Sequence, residues 1–158
     1  MPMNRFATVI SPLGDQLLLA KMSGRDALCT PFEFVVELLS LDTQLSLADF
    51  LGQAMTVQLE VIGEAIRHFH GLVTRFARTG DSGRYAVYTA TLRPWSWLLT
   101  QSVDCRIYQD MTVPQVIEEV FRRHGFSDFE TGGLSGSYRT WDYMVQYRES
   151  AHAFVTRL

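Results

Sequence analysis

Apolar and polar residues alternate through Phe32-Glu33-Phe34-Val35-Val36-Glu37-Leu38, which puts Phe32, Phe34, Val36 and Leu38 on one face and both glutamates on the other. Met55, Val57, Leu59 and Val61 alternate in the same way with Thr56, Gln58 and Glu60. Strands of this kind have one face in a core and one in water, as in antiparallel sheets. Shorter strands are expected over Arg5 to Ile10 and Gln16 to Met22, separated by the turn Ser11-Pro12-Leu13-Gly14-Asp15 and followed by a second turn or a bulge at Ser23-Gly24-Arg25-Asp26. Ser46 to Gly52 carries a cap residue, three apolar residues on one side and a terminal Gly, and is expected to form a helical turn or two that plugs one end of the sheet. From Met55 the chain continues as a meander, turning at Gly63-Glu64 into Ile66 to Arg78 and at Thr79 to Gly83 into Arg84 to Arg93. Five or more such strands predict a closed or nearly closed antiparallel β-barrel, because closure removes exposed sheet edges.

After Pro94 the apolar period changes from 2 to 3.6. Thr112-Val113-Pro114-Gln115 has the form of a capping box with Pro in the first turn. Val113, Val116, Ile117, Val120 and Phe121 then share one helical face, Arg122, Arg123 and His124 lie at the negative end of the helix, and Gly125 stops it. A short strand at Phe126 to Glu130, a Gly-rich loop at Thr131 to Ser137 and a strand at Trp141 to Tyr147 are expected next. Ser150 is then an N-cap for a helix with Ala151, Phe154, Val155 and Leu158 on one face. The fold class expected is mainly β with an α/β C-terminal part. Residues 1–100 would form the barrel domain and 101–158 an incomplete α+β segment, truncated within a helix, because that helix has only about two turns when the chain stops.

Composition narrows the functional classes. The 158 residues are 47% hydrophobic and 20% charged, enough for a sizeable core. The net charge is -3, Lys21 is the one lysine among 14 cations, and no basic cluster exceeds Arg122-Arg123, so a nucleic-acid footprint is absent. No apolar run approaches the ~20 residues of a bilayer-spanning helix, and the stretch after Met1 has no apolar signal-peptide core. Cys29 and Cys105, 76 positions apart, fit neither a disulfide framework nor a zinc ribbon and are expected to be buried free thiols.

Candidate chemistry is sparse. His68 and His70 share one strand face, as in some metal sites, but no third ligand stands at ligand spacing, and two rim histidines flanking the core residue Phe69 are the simpler account. Glu118, Glu119, Asp128 and Glu130 offer carboxylates, and Asp104, Cys105 and His124 a conceivable nucleophile set, with nothing in the spacing to fix them. Gly132-Gly133-Leu134-Ser135-Gly136 lacks the lysine and helix-opening context of a phosphate-binding loop. No enzymatic role and no cofactor or metal are expected. Trp95 and Trp97 beside the strand-ending Pro94 could bind a partner, but are better explained as buried indoles welding the barrel to the α/β segment.

Four ordered motifs carry a family resemblance: Phe69-His70-Gly71-Leu72-Val73, Tyr88 to Leu99, Cys105-Arg106-Ile107-Tyr108-Gln109, and Val145-Gln146-Tyr147-Arg148-Glu149-Ser150. Together with Pro31 to Phe34 and Phe154 to Leu158, they make the chain resemble the N-terminal hub region of the VgrG family, the valine-glycine repeat spike proteins of bacterial type VI secretion systems, which are similar to contractile phage tail hub proteins. Tyr143-Met144 stands where that family usually has Tyr-Cys, and the family's acidic residue near His152 is missing.

The resemblance implies a trimeric hub of paired β-barrels on which the hexameric tube protein Hcp stacks, with a C-terminal spike. The expected function is a structural component of the spike that caps the Hcp tube, helps puncture target cells and delivers effectors. Partners implied are Hcp, further VgrG subunits in a homotrimer, and baseplate and effector or adaptor proteins. The implied localisation is the bacterial cytoplasm during assembly, then export by the apparatus itself. Arg106, Gln109, Gln146, Arg148 and Glu149 are the polar motif members expected to form a fixed hydrogen-bond network at the barrel junction, beside Pro94, Trp95 and Trp97. The alternative is a small ligand-binding or metal-assisted catalytic barrel using His68 and His70.

Overall fold

The computed structural model describes residues 7–12, 14–28, 30–60 and 66–158. Cys29, Val61 and the expected turn at Gly63-Glu64 lie outside the described residues. The chain divides into two compact units, Met1–Pro94 and Trp95–Leu158.

The first unit is one antiparallel sheet. Its strands are β1 (Ala7–Ile10), β2 (Leu18–Ala27), β3 (Thr30–Ser40), β4 (Ala54–Leu59), β5 (Arg67–Ser82) and β6 (Tyr85–Arg93), in the order β1-β4-β5-β6-β3-β2. The sheet curls until β1 and β2 approach one another, but no ladder pair joins them among the described residues. Alternation sets the faces as expected: Phe34, Val36 and Leu38 of β3 and Met55 and Val57 of β4 are buried, whereas Glu33 and Glu37 are exposed. Gly71 is buried where β5 passes β6, and a Cβ there would lie 2.9 Å from Arg93 O and 3.2 Å from Arg93 N, so only glycine permits this backbone approach. Arg93 Nε donates to Glu33 Oε2 at 2.8 Å on the outer surface.

Local differences from the pattern have physical causes. Of the turn or bulge expected at Ser23 to Asp26, the bulge forms: the segment stays in β2, and its ladder with β3 is irregular between Arg25 and Ala27, as it is between Leu19 and Lys21. The β5–β6 hairpin runs past the turn expected at Thr79 to Gly83, pairing Ser82 with Tyr85. Only Leu47–Asp49 is helical within Ser46 to Gly52, as a 3₁₀ turn without a side-chain cap bond. Phe50, just after this turn, is fully buried and stacks on Phe76 at 4.0 Å, and Phe76 on Tyr88 at 5.5 Å. Tyr88 Oη donates to Asp42 O at 3.1 Å and accepts from Leu45 N–H at 3.3 Å, tying the long connection to the core.

The second unit begins with a 3₁₀ segment, Trp95–Gln101, followed by β7 (Val103–Thr112), α1 (Val113–Arg123), β8 (Thr140–Ser150) and α2 (Ala151–Arg157). β7 and β8 form a two-stranded antiparallel ribbon. One ribbon face, with Tyr108, Met144 and Gln146, is buried in a core with Leu99, Val116, Val120, Ala151 and Phe154. The α1 cap forms as expected, with Gln115 Oε1 accepting from Thr112 N–H at 2.8 Å and from its hydroxyl at 3.0 Å. Gly125, at φ +81°, takes the left-handed conformation that stops the helix. Ser150 Oγ accepts from Ala153 N–H at 3.1 Å and caps α2.

Two expectations fail here. Phe126 to Glu130 is irregular rather than a strand, because Phe126 and Phe129 both turn onto aromatic neighbours: Phe126 stacks on Trp95 at 4.5 Å and Phe129 meets Phe121 edge-on at 5.2 Å. Cys105 is exposed, not buried, because it lies on the outward face of β7. Among the described residues no helix is long and apolar enough to cross a membrane.

Candidate functional site: an apolar face on the β7–β8 ribbon

The most distinctive surface is the ribbon face turned away from the core. The register sets Cys105 opposite Tyr147, Ile107 opposite Val145, Gln109 opposite Tyr143 and Met111 opposite Trp141. Side chains alternate along strands, so the first three pairs share a face with Trp141, while Tyr108, Met144 and Gln146 take the other; Met111, just past Asp110 at φ +53°, packs against the second unit's core. Ile107 is 63% exposed, Tyr143 66% and Tyr147 64%. Trp141 and Val145 of the same face are exposed as well. The guanidinium of Arg139 sits 4.3 Å from the Trp141 ring centre and that of Arg148 5.3 Å from the Tyr147 ring centre, at opposite ends of the row.

The C-terminal end of the ribbon is held by polar contacts. Asp104 faces Glu149 and Cys105 faces Tyr147, leaving Arg148 as an extra, bulged residue at φ +49°. Arg148 N–H donates to Cys105 Sγ at 3.4 Å, and Gln146 Nε2 donates to Glu149 O at 3.0 Å from beneath. Arg157 reaches back from α2, with Nε 3.1 and 3.0 Å from the two Glu149 carboxylate oxygens and Nη2 donating to Val145 O at 2.6 Å. The Arg157 hydrogen bond to Glu149 holds that carboxyl below the usual carboxylate range, against a smaller opposing effect of burial. Asp104 accepts from Cys105 N–H at 2.8 Å and from Arg123 Nη2 at 3.3 Å, with Arg106 Nε at 3.7 Å; its pKa is lowered, chiefly by the Cys105 backbone bond. Tyr108 Oη is buried without a hydrogen-bond partner among the described residues, and burial raises its pKa while the nearby Arg123 guanidinium opposes that.

The structure therefore sets Arg106, Gln146, Arg148 and Glu149 in neighbouring ladder positions and leaves Gln109 apart, exposed opposite Tyr143. Pro94 is the half-buried last residue of the first unit. Trp95 packs in the second unit's own core on Phe121 and Phe126, and Trp97 is half-buried, its carbonyl accepting from Thr100 Oγ1 at 2.7 Å. The outward row escaped sequence reasoning because apolar residues occupy both faces of β7 and β8. The signal available was Trp141-x-Tyr143-x-Val145-x-Tyr147, an apolar alternation in antiphase with buried Met144 and Gln146.

Other candidate chemistry disperses. His70 Nδ1 lies 2.8 Å from Thr56 Oγ1 and His68 Nδ1 3.4 Å from Gln58 Nε2, each on its own ladder partner. Among the described residues no group of three or more His, Cys, Asp or Glu is placed to hold a metal, so the His68/His70 barrel reading finds no ligand set. His124 Nδ1–H donates to Val120 O at 2.8 Å and its Nε2 lies 3.0 Å from Ser102 Oγ, away from the partners of Asp104 and Cys105. An open cleft of about 650 Å³ beside α1 is lined by Asp110, Met111, Gln115, Glu118, Glu119, Arg122 and Arg123; within it Glu118 and Arg122 pair at 3.0 Å.

Comparison with known proteins gives this surface its context. The chain is 46% identical, over its whole length, to the type VI secretion system spike protein VgrG1a of Pseudomonas aeruginosa, and 48% identical over 98% of its length to VgrG1b of the same organism. It spans 25% and 21% of the length of those two relatives. Its structure matches the Escherichia coli c3393 protein, a component of the type VI secretion system described as structurally similar to the T4 bacteriophage tail proteins gp27 and gp5, with a TM-score of 0.71 and 27% identity over 99% of this chain and 41% of that one. The family model described as phage tail baseplate hub (GPD) matches residues 25–158, well over half of the sequence. The curled antiparallel sheet, the capped α1 and the β7–β8 ribbon thus form a hub fold, and the chain belongs to the phage tail baseplate hub (GPD) family.

Proposed function

We propose that this chain is the N-terminal hub segment of a type VI secretion spike, a mechanical component that caps the Hcp tube and helps puncture target cells and deliver effectors. The observation that carries this is the 46% identity to a spike protein across the entire chain, together with the hub-family match. The role is structural rather than catalytic: polar groups in the second unit hold a bulge and cap helices. In the assembled spike the chain packs with further copies in a homotrimer and meets Hcp, baseplate and effector or adaptor proteins, and it leaves the cell through the apparatus. The first hundred residues act as the barrel domain, and 101–158 as part of an α+β domain. The polar cluster of Arg106, Gln146, Arg148 and Glu149 keeps the ribbon rigid under load.

A chimera tests this. The matching segment of Pseudomonas aeruginosa VgrG1a is replaced by this chain, and Hcp release into the medium is measured. Release near the parental level is expected; a chimera that accumulates, folds and does not support release overturns the proposal.

A further inference from the structure

We propose that Arg93 is the mechanical anchor of the first unit: force carried along the chain from the second unit enters the sheet at this residue, whose side chain clasps both strands beside β6. This rests on the spike reading above and deepens it by naming a residue that takes the force.

Connectivity sets the point of entry. β6 ends at Arg93, and Pro94, the last residue of the first unit, has no N–H with which to extend a ladder. Tension arriving through Pro94 therefore pulls first on Arg93. The main-chain hold there is one-sided. Arg93 pairs with Leu72 of β5, but the ladder to β3 stops one residue earlier, at Phe34 and Leu92.

The side chain makes up the missing hold. Glu33 stands at the next register position on β3, and its Oε2 accepts from Arg93 Nε at 2.8 Å and also from Nη2. On the other side Arg93 Nη1 donates to Thr74 Oγ1 at 3.4 Å, and that hydroxyl donates to Thr91 O at 3.2 Å. Thr74 is the extra residue of β5, lying between the pairs Val73–Leu92 and Arg75–Thr91. One guanidinium thus ties β3, β6 and the β5 bulge together where the chain leaves the sheet. A partly exposed ion pair adds little to stability at equilibrium, so its placement is what matters. Because β3 and β6 are antiparallel, pulling β6 from Pro94 against the far end of β3 loads the two strands in shear, and the Arg93–Glu33 bond lies in that path.

The test is single-molecule pulling of the 158-residue chain with two pairs of handles. Handles at Leu41, just after β3, and at Gln101 send force in through Pro94 and shear β6 against β3. Handles at Leu41 and Arg84 open the same two strands from the opposite end, where Ser40 faces Ala86. Arg93→Met, which keeps an apolar stem, is expected to raise the unfolding rate at fixed force about fivefold in the first direction and less than about twofold in the second. Glu33→Ala, which leaves β6 untouched, should reproduce that difference and decides the matter if Arg93→Met does not fold. Exchanging the pair, Arg93→Glu with Glu33→Arg, should recover part of the lost resistance. Equal acceleration in both directions would reduce the clasp to ordinary stabilisation, and no acceleration in either would put the load elsewhere; each overturns the proposal. The secretion chimera fails independently: lost Hcp release with the directional effect intact refutes the spike reading alone, and parental release without a directional effect refutes the anchor alone.

Discussion

Gln146 Nε2 donates to the main-chain carbonyl of Glu149 at 3.0 Å, arching beneath the bulge at Arg148 with its side chain only 2% exposed. The amide is buried, and its donor is satisfied by the Glu149 carbonyl beside the bulge. Gln146→Met keeps the volume and removes the donor. It should destabilise the chain by about 1–2 kcal/mol in urea unfolding; an unchanged midpoint would show that water satisfies the carbonyl equally well.

Arg148 at φ +49° holds its position at the cost of backbone strain. Arg148→Gly relieves a cost of roughly 1–2 kcal/mol but frees the unfolded chain by roughly 0.4–1 kcal/mol, so thermal unfolding should show a net gain of up to about 1 kcal/mol. Arg148→Val should lose stability, since a branched Cβ tolerates this conformation least. Equal stability of the two variants would mean that the backbone relaxes out of the left-handed region.

Gly71→Ala places a methyl 2.9 Å from Arg93 O, against a backbone that β3 and β5 hold on both sides. A loss of about 1–3 kcal/mol is expected, as for overpacking in a core. Melting indistinguishable from the parent protein would show that β6 can shift.

Trp95→Ala removes the indole that stacks on Phe126 and meets Phe121 edge-on at 5.0 Å. A cost of about 3 kcal/mol is expected, with exposure of Phe121 and Phe126 to a fluorescent apolar dye. An unchanged midpoint and no dye binding would show that the indole does not hold the Phe121–Phe126 cluster in place.

Acid should weaken the second unit through Glu149 and Asp104, whose carboxyls both lie below their ordinary range in the folded chain. The folded state then binds fewer protons than the unfolded one. The stabilisation is complete above the ordinary carboxylate value near 4 and disappears as pH falls through the lower folded values. Between about pH 5 and pH 3 the unfolding midpoint should drop, and Glu149→Gln should flatten part of that slope. An identical pH profile for the variant would remove Glu149 from the account.

The elements that local pattern determines are legible in the chain by itself. Alternation through Phe32 to Leu38 and Met55 to Leu59 fixes which side chains enter the first core, and the Thr112–Gln115 box with Pro114 and Gly125 sets the start and stop of α1, because capping and strand alternation involve residues within a few positions of each other. β7 is not legible in this way. Its inward residues include Arg106 and Tyr108 and its outward ones Val103 and Ile107, so polarity does not sort by face until β8 and the helices are in place. Nor could the chain alone announce that Phe126 abandons strand geometry to stack on Trp95, or that Arg148 is the extra residue in its ladder, against Cys105. In both cases the partner is distant in sequence, and register between distant strands is a property of their packed faces rather than of either sequence segment.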